Sequence, residues 1–271
     1  MKEFRDITYE IKHECAYITI NRPDIMNAFR TRTILELIEA FQIAGWDKSI
    51  SAIVLSGAGD KAFCTGGDKW GDKEDTFAPG EIRGTLGIPA DDLYTLIRDV
   101  PKPVIARVQG FAIGGGNVIA TICDMTIAGE SAKFGQIGPK MGSVDPGFGT
   151  AYLTRVVGEK KAREMWFMCK RYSGQEAVDM GLANIVVPDD QLDDTVAEWC
   201  KELGQRSPTA MALAKKSMNA DSESIRGLMG VSFQALHMFY NTEESQEGMK
   251  ARAERRPADF KKFVEYGDHQ S

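Results

Sequence analysis

The chain has 271 residues, which is enough for one large domain or a domain with an appendage. A hydrophobic content of 43% and a charged content of 27% are typical of soluble globular proteins. A net charge of −6 argues against nucleic acid or an anionic membrane as the main partner. The absence of a long apolar run or a signal peptide predicts a cytoplasmic protein.

The first half of the chain alternates short strands with helices. "AYITI" alternates as a strand does, and "TRTILELIEAFQIAGWD" has the spacing of an amphipathic helix. Further strands are predicted at "AIVLSG", "KPVIARVQG", "DMTIAGE" and "AKFGQ", with a helix at "PADDLYTLIRDV". "NVIATICD" continues apolar after three glycines. This alternation predicts an α/β core.

The character of the sequence changes at about Ser207. "SPTAMALAKKSMNA", "SIRGLMGVSFQALHMFYN" and "EESQEGMKARAERR" all have helical spacing. We therefore divide the chain into a mixed core, residues 1–206, and a helical C-terminal region, residues 207–271. The charged, glycine-bearing stretch 69–88 is predicted to be a mobile loop.

The chain has few residues that could bind a metal or form a disulfide. The five cysteines are far apart and form no CxxC pair, which predicts reduced, mostly buried thiols. Only three histidines are present, so we predict no metal site.

Two glycine clusters, "SGAGDKAFCTGGD" and "QGFAIGGGNV", each follow an apolar strand. Neither contains the GxGxxG fingerprint of dinucleotide-binding proteins or a Walker motif. They are either tight turns or segments whose exposed backbone N–H groups bind an anionic oxygen. The second cluster precedes a helix-like apolar run, which favours the anion interpretation.

Several motifs in chain order resemble the crotonase (enoyl-CoA hydratase/isomerase) superfamily: "NRPDIMNAF", "KAFCTGGD", "PKPVIARVQGFAIGGGNV", "FGQIGPKMGSVDPGFG" and "RRPADFKKF". The resemblance implies a spiral of ββα units and a helical C-terminal region that forms trimers, usually paired into hexamers. It also implies an acyl-CoA substrate, with no tightly bound cofactor. The thioester oxygen would lie between the backbone N–H groups of Gly67 and Gly115.

Hydratases of this superfamily carry two glutamates where this chain has Val118 and Gly138, so the resemblance argues against water addition to an enoyl-CoA. "EKKAREMWFMCKRY" and "FYNTEESQEG" resemble the 1,4-dihydroxy-2-naphthoyl-CoA synthases and the related 2-ketocyclohexanecarboxyl-CoA hydrolases. "SVDPGFG" is similar to the hydrolases, and residues 69–93 lack the tyrosine of the synthases. The resemblance therefore favours hydrolytic ring opening to pimeloyl-CoA over Dieckmann-type ring closure. A non-catalytic binding protein of the same fold is the third alternative.

The resemblance also implies roles for particular side chains. Asp145 would orient or deprotonate water, although an aspartate in a glycine-rich turn commonly caps a helix or closes an Asx-turn. Tyr240 would polarise the ketone oxygen or protonate the departing carbanion, and Ser143 would hydrogen-bond the same region or serve only as a turn residue. His237 shares a helix face with Tyr240 and is expected to be a packing residue.

Further positions match ligand-binding residues of the family. Gln136, Gly138 and Trp166 match a bicarbonate site of one synthase class, which here predicts either a bicarbonate or a remnant of that site. The expected contacts to CoA come from two backbone segments and from the tail of a neighbouring subunit: Met26, Ala28, Lys61, Ala62, Phe63, Arg255 and Phe260. Alternatively, the basic tail "ARAERR" is a solvent-exposed helix that does not contact CoA.

Overall fold

The computed structural model describes residues 3–68 and 89–264, so the predicted loop 69–88 lies outside the described residues. Ten strands are found within these two ranges. They are β1 (Ile7–Lys12), β2 (Cys15–Ile20), β3 (Ala52–Gly57), β4 (Ala62–Cys64), β5 (Val104–Val108), β6 (Phe111–Ile113), β7 (Met125–Gly129), β8 (Lys133–Gly135), β9 (Arg171–Ser173) and β10 (Ile185–Val187).

The helices alternate with these strands and then continue to the C-terminus. They are α1 (Thr31–Trp46), α2 (Ala90–Asp99), α3 (Gly115–Ile122), α4 (Leu153–Val157), α5 (Glu159–Met168), α6 (Gly174–Asp179), α7 (Leu192–Gly204), α8 (Pro208–Ala220), α9 (Glu223–Tyr240) and α10 (Glu243–Ala253). Short 3-10 helices lie at Pro23–Ile25 and Gly138–Met141, and a π-helical turn spans Phe148–Tyr152.

The strands form two sheets that share a repeating pattern. One sheet has the order β1-β2-β3-β5-β7-β10 and the other the order β4-β6-β8-β9. Consecutive strands alternate between the two sheets: β3, β5 and β7 belong to the first sheet, and β4, β6 and β8 belong to the second. Helices α2 and α3 follow the first two of these pairs. The predicted α/β class and its ββα units are therefore confirmed.

Burial explains why the central strands are nearly continuous apolar runs. Every residue of β3 is buried, and β3 pairs in parallel with both β2 and β5. Parallel strands covered on both faces need apolar side chains on both faces. Helix α1 contributes Ile34, Leu37 and Phe41 to the same core, at the three- and four-residue spacing that predicts a helix here.

The three predicted C-terminal helices are confirmed as α8, α9 and α10. They pack on the remainder of the chain. Met229 of α9 belongs to the main hydrophobic core, and Arg98 at the end of α2 donates to Asn219 and Ser222. The boundary at residue 206 stays a prediction. Of the helices in the described ranges, none is long and apolar enough to span a membrane.

Candidate active site

The two glycine clusters meet at the ends of β4 and β6, which are parallel neighbours in the second sheet. A Cβ atom at Gly66, whose φ is +89°, would lie 2.9 Å from the backbone nitrogen of Gly115. A Cβ atom at Gly116 would lie 1.9 Å from the carbonyl oxygen of Cys64. Residues with side chains do not fit at these contacts, so the glycines are needed for the close approach of the two segments.

Phe29 supports both of these segments. Its backbone N–H donates to the Gly66 oxygen at 2.8 Å, and its own oxygen accepts from the Asp68 N–H at 2.7 Å. A Cβ atom at Gly115 would lie 2.9 Å from two atoms of the Phe29 ring, and one at Gly67 would lie 3.7 Å from it. One buried side chain therefore packs against both glycines that were predicted to bind the thioester oxygen.

The local backbone leaves the Gly67 and Gly115 amides without an acceptor in their own bridge or helix. Gly67 forms a parallel bridge with Phe29 in which the flanking residues make the hydrogen bonds, so the Gly67 N–H faces the opposite side. Gly115 is the first residue of α3, and such an amide has no acceptor within its own helix. Two N–H groups near a helix N-terminus are suited to bind a negatively charged oxygen.

Asp145, which was predicted to act on water, accepts two hydrogen bonds. Its Oδ1 accepts from the Gly149 N–H at 3.0 Å, and its Oδ2 accepts from the Tyr94 hydroxyl at 3.5 Å. Burial of the carboxyl group raises the pKa of Asp145 to about 7, although both hydrogen bonds act in the opposite direction. A carboxyl group with such a pKa can take up and release protons near neutral pH.

Ser143 and Tyr240 form a second hydrogen-bonded pair beside Asp145. Their side-chain oxygens lie 2.7 Å apart. Burial and the neighbouring Asp145 raise the pKa of the Tyr240 phenol, so it stays protonated at neutral pH. His237, which shares helix α9, is only partly buried, and its backbone oxygen accepts from Asn241.

Gln136 and Gly138 lie between β8 and Ser143, and Trp166 lies in α5. Gln136 is 2% exposed, and neither atom of its amide group has a hydrogen-bond partner among the described residues. A Cβ atom at Gly138 would lie 2.4 Å from the Ser143 oxygen and 2.7 Å from the Trp166 ring. The Trp166 Nε1–H donates to the Gly149 oxygen at 2.5 Å. The backbone N–H and C=O groups of Gly149 therefore link Asp145 to Trp166.

The two backbone segments that were predicted to contact CoA are held together by Asn27. Its amide donates to the oxygens of Ala58 and Ala62, at 2.9 and 2.7 Å. Among the predicted residues of these segments, Lys61 is exposed, while Ala62 and Phe63 are buried within β4. Any contact from Ala62 and Phe63 would thus come from their backbone.

The flanking residues of the first segment are also bonded to their surroundings. Met26 has φ of +56°, and its oxygen accepts from the Thr65 hydroxyl at 3.2 Å. The Ala28 oxygen accepts from the Arg22 guanidinium at 2.5 Å, and Arg22 also donates to Asp68 at 2.9 Å. These contacts fix the segment next to the Gly67 turn.

The C-terminal tail is ordered by one carboxylate. Glu247 accepts from the Arg256 guanidinium at 2.6 and 3.1 Å and from the Asp259 N–H at 2.8 Å. The predicted CoA residues Arg255 and Phe260 lie in this tail, exposed and partly buried respectively.

Three residues at the site were missed at the sequence level: Phe29, Asn27 and Tyr94. The first two stand inside "NRPDIMNAF", where the motif gave a signal for the segment but not for its contacts. Tyr94 lies one residue beyond the stretch 69–93, which lacks the tyrosine of the synthases, and it contacts Asp145 from α2. Over the two described ranges, no group of three or more His, Cys, Asp or Glu side chains is arranged to hold a metal ion.

The sequence profile of the enoyl-CoA hydratase/isomerase family matches residues 10–263 of the chain. Among solved structures, an enoyl-CoA hydratase from Mycobacterium avium subsp. paratuberculosis K-10 is 26% identical, with a TM-score of 0.84. The match covers 95% of this chain and 99% of that one. An enoyl-CoA hydratase/isomerase from Xanthobacter autotrophicus Py2 is also 26% identical, with a TM-score of 0.78 and coverages of 94% and 100%.

A third structure extends the likeness of fold. The enoyl-CoA hydratase/isomerase from Pseudoalteromonas atlantica T6c is 23% identical, with a TM-score of 0.84. The match covers 94% of this chain and 100% of that one. At this identity the likeness concerns the fold alone.

Proposed function

The chain belongs to the enoyl-CoA hydratase/isomerase family of the crotonase superfamily, which acts on acyl-CoA substrates, and from this premise we propose that it opens a cyclic β-keto acyl-CoA by hydrolysis. The proposed substrate is 2-ketocyclohexanecarboxyl-CoA and the product is pimeloyl-CoA. The observation that carries the proposal is the partly buried Asp145, whose carboxyl pKa is raised by burial to about 7, beside the Ser143–Tyr240 pair.

Enoyl-CoA hydration is disfavoured by the two positions that would carry its glutamates. Val118 is fully buried in α3, and its side chain cannot transfer a proton. Gly138 has no side chain, and a Cβ atom there would overlap backbone and the Trp166 ring. Asp145 and Tyr240 are then the acid–base groups that we assign to the reaction.

In the proposed reaction the thioester oxygen accepts hydrogen bonds from the Gly67 and Gly115 amides. The Asn27-linked segments 26–28 and 61–63 would hold the CoA portion through their backbone. In its ionised form, Asp145 takes a proton from water, and the water oxygen forms a bond to the ketone carbon of the ring. Tyr240 donates a hydrogen bond to the ketone oxygen as negative charge develops on it.

Ring opening follows by cleavage of a carbon–carbon bond. The bond between the former ketone carbon and the thioester α-carbon breaks, and its electron pair becomes a thioester enolate. The two glycine amides stabilise this enolate, a type of contact that contributes about 3 kcal/mol for each donor. The α-carbon then takes a proton, with protonated Asp145 or Tyr240 as the donor. The former ketone carbon becomes the free carboxylic acid.

The environment of Gln136 favours a second base in the site. Its amide is buried and has no hydrogen-bond partner in the described part of the chain, so it is suited to bind a small polar group. A bicarbonate held there would relay protons between water and Asp145. The same site would also serve 1,4-dihydroxy-2-naphthoyl-CoA synthesis, a ring closure through a thioester enolate, which is our second candidate function.

We also propose a homo-oligomer, a hexamer built from two trimers. Helices α8 and α9 each expose large apolar side chains, including Leu213, Met218, Val231 and Met238. Large apolar side chains exposed on these helices favour burial against another subunit. In such an assembly Arg255 and Phe260 would reach a neighbour's CoA.

Turnover of three thioesters tests the proposal. Purified protein is incubated separately with 2-ketocyclohexanecarboxyl-CoA, succinylbenzoyl-CoA and crotonyl-CoA, and products are identified by mass spectrometry. We expect pimeloyl-CoA from the first and no product from the others, with activity lost in Asp145→Asn. Turnover of succinylbenzoyl-CoA alone would favour ring closure. Asp145→Asn with unchanged activity would remove Asp145 from the mechanism.

A further inference from the structure

Tyr94 is fixed in place by aromatic packing. Its side chain is 1% exposed, and its ring packs edge-on against Phe148 and Phe233, with centroids 6.2 and 6.4 Å apart. Phe148 begins the π-helical turn whose next residue, Gly149, donates to Asp145. The ring of Tyr94 therefore rests on the same turn that holds the carboxylate.

Helix α2, which carries Tyr94, is itself anchored one turn further on. The Arg98 guanidinium donates to Asn219 at 2.6 Å and to Ser222 at 2.8 Å, and it lies 4.2 Å from the centre of the Tyr152 ring. Buried contacts of a charged group with several partners restrict movement of the helix end. The Tyr94 hydroxyl is thus presented to Asp145 from a rigid element.

We propose that Tyr94 is a positioning residue, whose hydroxyl holds the Asp145 carboxylate in the orientation that takes a proton from water. The two oxygens of Asp145 have one donor each, Gly149 N–H on Oδ1 and Tyr94 O–H on Oδ2. Donors on both oxygens fix the plane of the carboxylate. This inference rests on the proposed role of Asp145 as the base.

The surrounding groups keep Tyr94 a donor at any working pH. Burial raises its pKa well above the ordinary value, and the neighbouring Asp145, Cys64 and Tyr240 add to that increase. Ser143 and Tyr240 are the polar groups that face the site from the loop and from α9. On α2, the Arg98 guanidinium has its donors directed to α8 and to the residue preceding α9. Tyr94 therefore donates to ionised Asp145 and favours that form.

A titration of Asp145 tests the inference without any substrate. The full-length protein is labelled with ¹³C at aspartate carboxyl groups, and Asp145→Asn identifies the Asp145 resonance. In Tyr94→Phe we expect the pKa of Asp145 to rise by about 0.5 to 1 unit, because a donor to the ionised form is lost. Replacing Tyr94 with 3,5-difluorotyrosine, a stronger donor of the same shape, is expected to lower it.

Tyr152→Phe is the matched control, because Tyr152 packs in the same aromatic cluster, 5.7 Å from Phe148, without a hydrogen bond to Asp145. It should leave the Asp145 titration unchanged. If Tyr94→Phe and the difluoro variant both leave it unchanged too, Tyr94 is only a packing residue and the inference is overturned.

Kinetics separate this inference from the proposed function. With the cyclic β-keto thioester, Tyr94→Phe should move the acidic limb of the kcat/KM profile upward by the same amount, and activity at pH 7 should fall roughly two- to fivefold. The Asp145 pKa could change in Tyr94→Phe although the protein does not open the ring. That result would support the positioning role of Tyr94 and reject the proposed reaction. A fall in kcat with an unmoved profile would contradict the positioning role.

Discussion

The side-chain oxygens of Ser143 and Tyr240 lie 2.7 Å apart, although 97 residues separate them in the chain. Ser143 belongs to the loop that carries Asp145, and Tyr240 is the last residue of α9. Helix α10, which follows, packs on the same loop, where the buried Ser245 hydroxyl donates to the Gly142 oxygen at 2.6 Å. The C-terminal region thus supplies one proposed catalytic group and holds the loop that supplies another.

The Ser143–Tyr240 pair should behave as one unit in catalysis. We expect Tyr240→Phe to lower kcat by roughly 10²- to 10⁴-fold, in the usual range for loss of a general acid. Ser143→Ala should lower kcat less, since Tyr240 keeps its hydroxyl group but loses its partner. The double variant should be no worse than Tyr240→Phe, because the serine acts through the tyrosine. Steady-state kinetics with the cyclic thioester measure all three.

His237→Gln is the control for this cycle. His237 shares α9 with Tyr240, and its backbone oxygen, not its side chain, makes the hydrogen bond to Asn241. The variant should therefore retain the activity of the unmodified protein. Strict additivity of the Ser143 and Tyr240 effects would show that the two groups act separately.

Gly115→Ala should damage the proposed oxyanion site. The added methyl group would lie 2.9 Å from two atoms of the Phe29 ring and 3.2 Å from the Gly66 Cα. Because Phe29 is 5% exposed, its ring has little room to move, and the amide must shift instead. We expect kcat to fall by about 10²- to 10³-fold, as for loss of one oxyanion donor.

Gly227→Ala is the matched control for that change. Gly227 lies in α9, and a Cβ atom there would have no heavy atom within 4 Å apart from the backbone of its own helix and its chain neighbours. Alanine also favours a helix over glycine by about 0.5–1 kcal/mol. The variant should be active and at least as thermally stable as the unmodified protein. Near-normal kcat in Gly115→Ala would contradict the oxyanion assignment.

Gly138 should tolerate no side chain. A methyl group there would meet the Ser143 oxygen and the Trp166 ring, and overpacking of this kind costs about 1–3 kcal/mol. Gly138→Ala should therefore lower the melting temperature, and Gly138→Glu should not create hydration of crotonyl-CoA. Lys140→Ala, in the same 3-10 helix and exposed, is the control that should melt normally. A hydratase obtained by the glutamate variant would show that the position is adaptable.

Asp145→Asn should stabilise the protein at neutral pH while removing activity. The folded pKa of Asp145, about 7, lies above its ordinary value of 3.8, so the folded state binds this proton more tightly than the unfolded state. The contribution of Asp145 to stability is then full below about pH 4 and is lost as pH rises through 7. The free energy of unfolding of the asparagine variant does not fall in this way. Above pH 7 it should exceed that of the unmodified protein by about 2–4 kcal/mol.

Thermal unfolding at pH 4, 6 and 8 measures this effect. The difference between variant and unmodified protein should grow with pH and level off above pH 8. A difference that is constant across the range would mean that Asp145 has an ordinary pKa in the folded protein, and it would weaken its assignment as a base.

Elements of secondary structure were predictable because their signals are local. The spacing of Ile34, Leu37 and Phe41 predicts α1, and the apolar run "AIVLSG" predicts a buried strand, which is β3. The order of motifs also predicted the family, because spaced glycines and acids along the whole chain are more specific than any single pattern.

Contacts between distant segments were not predictable in the same way. Tyr94 lies 51 residues before Asp145, and only the packing of α2 against the π-helical turn brings its hydroxyl to that carboxylate. The unpartnered amide of Gln136 is likewise a property of the folded core. The motif "NRPDIMNAF" gave no sign that the Phe29 ring packs on two glycines from different ββα units.

Isotopic labelling of the product tests ring opening by water most directly. The cyclic β-keto thioester is converted by the enzyme in H₂¹⁸O, and the product is fragmented in a mass spectrometer. We predict pimeloyl-CoA with one ¹⁸O atom in its free carboxyl group and none in its thioester carbonyl. Release of free CoA with the label in the acyl carboxylate, or recovery of the intact ring, would contradict the proposed attack on the ketone.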